Sequence, residues 1–193
     1  MPGSQTTMNS NLKLYLEKEN QNLTTGVVVY ENLGTRHSDR YQYTLPYYDF
    51  SKNLTSLIED NSINGSLNFY STGTNKLSNT NNLRTTVVND FNYSSNNFIS
   101  KLGFKNKFEI YLKNLNSVGK NDSIYTSNAQ IDGMSNLKID SSFPLLRSKN
   151  IIKETLTPKV SFRIKPKNNI NNYIDSSTNI NAHNLSYINR LAI

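Results

Sequence analysis

Apolar and polar residues alternate with a period of two along most of this chain. Leu12, Leu14 and Leu16, for example, alternate with polar or charged neighbours. Successive side chains of a strand point to opposite faces, so this alternation is typical of strands whose two faces meet different surroundings. The pattern predicts strands over the following segments: Leu12–Glu17, Val27–Tyr30, Tyr41–Leu45, Leu67–Phe69, Leu83–Tyr93, Phe104–Leu112, Leu137–Phe143 and Leu156–Ile164.

Polar, turn-forming stretches separate these segments and predict sequential hairpins. They are Glu31–Ser38, Ser71–Asn82, Asn114–Ser127 and Lys165–His183, and the last overlaps an Asn-rich run over Asn168–Asn184 that predicts a long mobile loop. Pro46 interrupts a strand pattern and cannot donate to a ladder, so a bulge or bend is predicted there. Because no repeat or compositional shift marks a boundary, we predict one domain over residues 11–193 after a flexible stretch at 1–10.

The strand pattern predicts an all-β fold, an antiparallel up-and-down meander of about eight or nine strands. A soluble β-sandwich also alternates, because one face of each sheet packs against the other sheet. Strand length, the uneven lengths of the connections, and aromatic residues near strand ends such as Tyr41, Tyr47 and Phe50 favour a membrane location. We therefore predict a partial, open segment of a large transmembrane β-barrel, with the soluble sandwich as the alternative.

Composition and charge narrow this prediction. Hydrophobic residues make up 35% of the 193 residues, and the mean hydropathy is -0.61, which is polar for an ordinary globule. The formal charge of +7 suits an anionic partner, but the basic residues are scattered, which argues against nucleic acid. A lysine facing lipid at mid-bilayer depth costs about 2 to 4 kcal/mol. The basic residues Lys105, Lys107, Lys159 and Arg163 are therefore predicted to face a lumen.

The sequence offers no site for catalysis or for a metal. It has no cysteine, and its two histidines are far apart without the spacing of a metal site. No catalytic fingerprint is present, so we predict neither an enzyme nor a cofactor. Asp90 and Glu109 are carboxylates that can meet across strands, although a salt-bridge network accounts for them equally well. The start of the chain lacks a signal peptide, which predicts a fragment or a truncated reading frame.

Two long stretches and two short ones resemble the family of the lipopolysaccharide-assembly outer-membrane protein LptD, also called OstA or Imp. They are DRYQYTLPYYDFSKN at Asp39–Asn53, FPLLRSKNIIKETLTPKVSFRIKP at Phe143–Pro166, YIDSS at Tyr173–Ser177 and LSYINRL at Leu185–Leu191. The chain departs from the family's TLEP strand by carrying Thr157 in place of Glu. The structural motif positions that match are Pro46, Pro144, Leu156, Pro158, Pro166, Asn189 and Arg190.

This resemblance implies the middle of the C-terminal barrel domain of the translocon that inserts lipopolysaccharide into the outer leaflet of the Gram-negative outer membrane. It also implies three partners, which are lipopolysaccharide, a lipoprotein plug like LptE and the periplasmic Lpt bridge, together with contact to outer-membrane lipid. Lumen-facing Lys105, Lys107, Lys159 and Arg163 are expected to contact the plug or attract lipid phosphates. The alternatives are another outer-membrane barrel of porin or receptor type, and a soluble β-sandwich that serves as a binding or adhesion module.

Overall fold

Strands make up most of the chain in the computed structural model, which describes residues 6–34, 40–59, 64–149 and 152–165. Its elements in chain order are β1 (Thr7–Lys18), β2 (Gln21–Asn32), β3 (Tyr41–Asn53), α1 (Ser56–Glu59), β4 (Gly65–Ser78), β5 (Asn82–Ser95), β6 (Phe98–Ile99), β7 (Lys105–Lys120), β8 (Gln130–Ser142), β9 (Leu145–Lys149), β10 (Ile152–Leu156) and β11 (Lys159–Ile164). Within these ranges, no helix is both long and apolar enough to cross a membrane.

One antiparallel sheet contains nine of these strands. Its order is β1-β2-β3-β4-β5-β7-β8-β11, and the short strand β6 pairs with β7. Strands that follow one another in the sequence thus pair with one another, as in a meander. Strands β1 and β11 stand at the two ends of the order and do not pair with each other, so the described sheet is open. The predicted all-β, antiparallel meander with an open sheet is confirmed.

A bulge lies at Pro46, as predicted. The pairing of β3 with β4 is regular from Gln42 to Thr44, shifts, and resumes at Tyr47. Proline has no amide hydrogen to give to a ladder, so the irregularity falls where one strand cannot bond its neighbour. The bulge changes which side chains of β3 share a face with those of β4.

Several strands are longer than the sequence pattern predicts, and two of them run far into segments predicted as connections. Strand β4 continues to Ser78 and strand β7 to Lys120, so the prediction of connections over residues 71–78 and 114–120 is wrong. The apolar alternation is weak there because most side chains on both faces are polar and several of them bond across the strands, although Leu115 is buried. Thr74 Oγ1, for example, lies 2.9 Å from Thr86 Oγ1.

The last predicted strand is two elements. Leu156 ends β10, which pairs with β9 in a separate two-stranded sheet, whereas β11 begins at Lys159. Pro158 separates the two, and its carbonyl accepts a 3.0 Å hydrogen bond from the amide of Phe143. At the other end of the chain β1 begins at Thr7, so residues 7–10 lie in a strand within the predicted N-terminal stretch.

The chain divides into two compact units. The first contains the described residues of Met1–Leu54, Asn68–Phe91 and Lys113–Gly133, and the second those of Thr55–Leu67, Asn92–Leu112 and Met134–Ile193. Buried side chains of the first unit include both apolar and polar ones, among them Val88, Leu115 and Lys113. The first unit is therefore not a simple hydrophobic core.

Candidate functional site

The pairing of β8 with β11 separates charged side chains from apolar ones. Opposite residues of an antiparallel pair share a face, and the faces alternate along the strands. One face receives the pairs Lys159 with Ser142, Ser161 with Asp140, and Arg163 with Lys138. The other face receives the pairs Val160 with Ser141, Phe162 with Ile139, and Ile164 with Leu137. Two unlike surfaces therefore back onto one another in this part of the second unit.

Strand β7 adds side chains to the charged face. Glu109 accepts a hydrogen bond of 2.8 Å from Lys107 Nζ and one of 3.3 Å from Lys138 Nζ. Lys138 Nζ also lies 2.5 Å from Asp140 Oδ2, and the Ser161 hydroxyl donates to Asp140. These contacts link three strands through one ion-pair network.

We call this surface the basic face, because its basic side chains outnumber its acids. It consists of Lys105, Lys107, Glu109, Lys138, Asp140, Lys159 and Arg163. Five cations face two carboxylates, which leaves an excess of three positive charges. The lysine and arginine side chains of this unit therefore exceed what its own acids neutralise.

A cavity of about 560 Å³ opens on the basic face. Lys105, Lys107 and Lys159 line it together with Asp140, and Ser141 and Val160, a pair assigned to the opposite face, also contribute to the lining. Lys105 and Lys159 have no acidic partner in the part of the chain that the structure describes. The cavity therefore offers ammonium groups that are free to bind an anion, with hydroxyl groups beside them.

Arg163 lies on the same face, opposite Lys138 in the pairing of β8 with β11. Its Nε atom is buried and has no hydrogen-bond partner among the described residues. A buried donor without a partner is costly, so an acceptor from a ligand or a partner protein would stabilise it. Arg163 extends the excess of positive charge along β11.

The opposite surface of the same strands is apolar and exposed, and we call it the apolar face. Its large exposed side chains are Leu112, Ile139, Val160, Phe162 and Ile164. Val160 exposes 70% and Phe162 58% of their surface, although both are apolar. Soluble monomers rarely expose a contiguous apolar patch of this kind, so the apolar face calls for lipid or for a protein partner.

The structure brings together the four basic residues that the sequence pattern placed on one face. Lys105, Lys107 and Lys159 share the cavity, and Arg163 lies on the same side of β11. The contacts among Glu109, Lys138 and Asp140 do not follow from the sequence pattern, although all three residues have the parity of the charged face. Parity along a strand assigns a face, but the register between strands decides which charges meet.

The two carboxylates considered as a possible pair each have a basic partner instead. Asp90 belongs to the first unit, where Lys113 Nζ lies 2.7 Å from both of its side-chain oxygens. Glu109 belongs to the second unit and is bound by Lys107 and Lys138. Both acids are thus parts of structural ion pairs.

The family-motif positions lie mostly at strand ends. Pro46 lies in the bulge of β3, Pro144 between β8 and β9, Leu156 at the end of β10, and Pro158 just before β11. Their positions fit roles in ending or bending strands, and Pro144 also lines the cavity described above. The motif positions Pro166, Asn189 and Arg190 lie outside the described residues, as does the Asn-rich run predicted as a loop.

Neutral polar side chains form a ladder across four strands of the first unit. Tyr48 Oη lies 3.0 Å from Ser71 Oγ, and Ser71 donates a 2.7 Å hydrogen bond to Asn89 Oδ1. Asn89 Nδ2 donates to Asn114 Oδ1 at 3.2 Å, and Asn116 Nδ2 donates to the same oxygen at 2.7 Å. We call these five residues the polar ladder. A row of phenylalanines, Phe50, Phe69 and Phe91, also crosses strands of this unit.

Asp122 anchors the connection between β7 and β8 in the first unit. Its Oδ2 accepts a 2.7 Å hydrogen bond from Arg84 Nε, and its Oδ1 accepts bonds from the amides of Ile124 and Tyr125. Burial acts to raise the pKa of Asp122, but the Arg84 hydrogen bond and the two amides outweigh it and hold the pKa below its ordinary value of 3.8. At neutral pH the folded protein therefore carries Asp122 in its ionised form.

The basic face and the apolar face are the features that bear on function, because comparison with known proteins finds no match. No family model matches this sequence. A search of the curated proteins also finds no significant match.

Proposed function

We propose that this chain forms part of the wall of an outer-membrane β-barrel of the lipopolysaccharide-assembly type. The apolar face meets lipid, and the basic face meets a water-filled lumen. The observation that carries the proposal is the separation of charge from apolar surface along β7, β8 and β11. Reversing the wall would place Lys105, Lys107, Lys138, Lys159 and Arg163 in lipid, at about 2 to 4 kcal/mol for each cation at mid-bilayer depth.

The open antiparallel sheet supports the same proposal. In a membrane-spanning barrel the backbone N–H and C=O groups must form their hydrogen bonds within the sheet. A meander of long strands meets this requirement for every strand that lies between the two edge strands. Strands β7 and β8 have 16 and 13 residues, which exceeds the roughly nine to eleven that a tilted strand needs to cross the bilayer. The rows of aromatic rings suit the boundary between lipid and water.

The proposed substrate and partners follow from the resemblance of residues 143–166 and 185–191 to the LptD family together with the excess positive charge of the basic face. Lipopolysaccharide carries phosphate groups, and a lipoprotein plug can present acidic side chains. Both are anionic surfaces that the ammonium groups of Lys105 and Lys159 can bind. The role is one of transport and assembly, in contact with lipopolysaccharide, a plug protein and the periplasmic bridge.

Photocrosslinking in Gram-negative cells tests the proposal. A photoreactive amino acid replaces Lys105 or Lys159 on the basic face, and Phe162 on the apolar face serves as the matched control. The expected adducts at 105 and 159 contain lipopolysaccharide or a lipoprotein, whereas 162 crosslinks to membrane lipid. Adducts to neither class at 105 and 159, with lipid adducts at 162, would favour a barrel of another type.

A solution experiment separates the barrel from the soluble binding module. The chain is transferred from detergent into detergent-free buffer, and its state is followed by ultracentrifugation. Exposure of Val160 and Phe162 predicts loss of the soluble species. A monodisperse monomer in water would contradict a membrane wall and would support the soluble module.

A further inference from the structure

A second cavity lies within the first unit and has a volume of about 400 Å³. Residues of β2, β3, β4 and β5 line it together with Asp122 of the connection between β7 and β8. Each of these four strands pairs with a neighbour on both sides, so the cavity lies away from the ends of the sheet. Tyr43 and Leu77, whose side chains belong to the opposite face, also contribute to the lining. We call it the polar cavity, because Leu77 is the only aliphatic residue among the described residues that line it.

Two cations stand opposite each other in the polar cavity. Side-chain hydrogen bonds align β4 with β5, and they join Thr74 to Thr86 and Asn75 to Thr85. The next pair in this register is Lys76 with Arg84, and both residues line the cavity. Like charges directly opposite each other on neighbouring strands destabilise a sheet. An anion bound between the two side chains would remove this repulsion.

The carboxylate in the polar cavity does not neutralise both cations. Asp122 exposes 7% of its side chain, and its Oδ2 accepts a hydrogen bond from Arg84 Nε. Its Oδ1 already accepts bonds from the amides of Ile124 and Tyr125. Lys76 has no acidic partner among the described residues. Two cations and one carboxylate therefore leave an excess of one positive charge in the cavity.

The guanidinium group of Arg84 is held from two sides. Its Nε atom is bound to Asp122 at 2.7 Å, and its Cζ atom lies 5.7 Å from the centroid of the Tyr125 ring. No hydrogen bond of either Nη atom is found among the described residues. A guanidinium group that is fixed in this way can offer its two Nη atoms to the two oxygens of a carboxylate, without losing the bond that positions it.

Neutral polar side chains lie beside the cations on the same face. The pairing of β3 with β4 places Thr44 opposite Lys76 and, two residues along each strand, Gln42 opposite Ser78. Tyr30 of β2 pairs with Gln42 and extends this second pair across a third strand. We call Tyr30, Gln42 and Ser78 the neutral row. It brings two hydroxyl groups, an amide and an aromatic ring next to the pair of cations.

We propose that the polar cavity binds a sugar acid, with its carboxylate between Lys76 and Arg84 and its hydroxyl groups along the neutral row. The single excess positive charge matches one carboxylate. The neutral row can form the hydrogen bonds that the hydroxyl groups of a sugar need when they leave water. A volume of about 400 Å³ lies within the range of about 300 to 1,000 Å³ that is usual for ligand sites, so the cavity can hold a sugar ring as well as an anion.

The proposal goes beyond the proposed function and does not depend on it. The proposed function rests on the two faces of the second unit, whereas every residue of the polar cavity belongs to the first unit. A membrane wall and a soluble module can both contain this site. Failure to bind a sugar acid would therefore leave the membrane proposal untouched, and failure of the membrane proposal would leave this site in place.

Titration of the full, isotope-labelled chain in detergent tests the site by nuclear magnetic resonance. The probes are glucuronate, glucose, which has the ring without the carboxylate, and acetate, which has the carboxylate without the ring. Glucuronate is expected to shift the amide signals of Gln42 and Ser78 and to bind at least tenfold more tightly than either of the other two. Equal affinity for acetate and glucuronate, or for glucose and glucuronate, would overturn the proposal, as would shifts confined to residues outside the cavity.

A substitution at Lys76 shows whether this cation binds the carboxylate. Lys76 is exposed and has no acidic partner to lose, so Lys76→Gln is expected to keep the fold and to lower the affinity for glucuronate at least tenfold. Lys52→Gln, at an exposed lysine of β3 outside the cavity, is the matched control and is expected to bind like the wild type. Unchanged affinity in Lys76→Gln, or an equal loss in Lys52→Gln, would contradict binding at this place.

Urea unfolding at low salt gives a second measurement on the same two proteins. Without a ligand, Lys76→Gln is expected to unfold at the same or a higher urea concentration than the wild type, because the repulsion from Arg84 is gone. Glucuronate is expected to raise the midpoint of the wild type and to have a much smaller effect on Lys76→Gln. A lower midpoint for Lys76→Gln without ligand, or equal shifts of both proteins by glucuronate, would contradict an unneutralised pair of cations that binds the sugar acid.

Discussion

Polar side chains of the first unit bond to one another, whereas those of the second unit gather on one face and leave the other face apolar. In the first unit Ser71, Asn89 and Asn114 form hydrogen bonds from strand to strand. In the second unit Lys138 joins Glu109 and Asp140, while Ile139 between the lysine and the aspartate points to the opposite face. Both arrangements satisfy polar groups, and large apolar side chains are exposed in both units, such as Leu12 in the first and Val160 in the second.

The difference shows why a low mean hydropathy does not by itself predict disorder. Neutral amides and hydroxyls support strands when the register places donors opposite acceptors, as along the polar ladder. Charged residues support strands when alternation keeps them on one face. The second arrangement suits contact with lipid, because it exposes no charge on the apolar face. Substitutions in each unit test this contrast.

The largest effect is expected at the ion pair of the first unit. Lys113 exposes only 6% of its side chain and is bound to Asp90. Replacing it by methionine leaves a partly buried carboxylate without its partner, so Lys113→Met is expected to lower the free energy of unfolding by about 3 to 5 kcal/mol. Urea unfolding in detergent measures the change. Lys52→Met, at an exposed lysine, is the control. An equal loss of unfolding free energy in both variants would mean that the pair with Asp90 does not stabilise the fold.

The next effect concerns a charge placed on the apolar face of the second unit. Ile139→Lys places an ammonium group on the apolar face and is expected to destabilise the chain in lipid bilayers by about 2 to 4 kcal/mol. Ser142→Lys, on the opposite face of the same strand, is expected to cost much less because its new charge lies in water. Refolding yields in vesicles compare the two variants. Equal penalties would mean that the two faces do not differ in their surroundings.

The anchor of the connection between β7 and β8 predicts a pH dependence confined to the first unit. Because the folded pKa of Asp122 lies below 3.8, its stabilisation is present above about that pH and is lost as the pH falls through the folded pKa. Asp122→Asn should lose about 2 kcal/mol at neutral pH, as expected for a charged hydrogen bond. The variant's stability should also vary less with pH below 3.8. If the stability of the wild type and of Asp122→Asn varied with pH in the same way, the carboxylate of Asp122 would not be the group that stabilises this connection.

The smallest effect is expected in the polar ladder. Asn89→Ala removes the acceptor of Ser71 and a donor to Asn114, and should cost about 1 kcal/mol. Asn92→Ala on the same strand is the control, because no hydrogen bond of its side chain is found among the described residues. Thermal unfolding of the two variants gives the comparison. A loss of the same size at Asn92 would show that composition, and not the ladder, matters.

Much of the fold could be predicted from alternation alone. It located strands where one face is apolar, as around Phe108 and Phe162, and Pro46 marked the bulge. It failed over residues 71–78 and 114–120, because a strand with polar residues on both faces has no period to detect. It also joined Leu156 to Val160, although Pro158 lies between two strands of different sheets.

The candidate site was predictable in part for the same reason. Parity along β7 and β11 placed Lys105, Lys107, Lys159 and Arg163 on one face before any register was known. The network through Lys138 depends on how β8 is aligned with β7 and β11, which is a property of the sheet rather than of one strand.

Fluorescence in lipid shows which face of β11 meets the membrane, because the chain has no tryptophan and a single introduced one reports its own surroundings. Val160→Trp and Lys159→Trp place single reporters at neighbouring positions of β11, at nearly the same depth but on opposite faces. In vesicles of brominated lipid, we expect strong quenching of the reporter at 160 and weak quenching of the reporter at 159. Equal quenching at both positions, or stronger quenching at 159, would contradict a wall with its apolar face toward lipid.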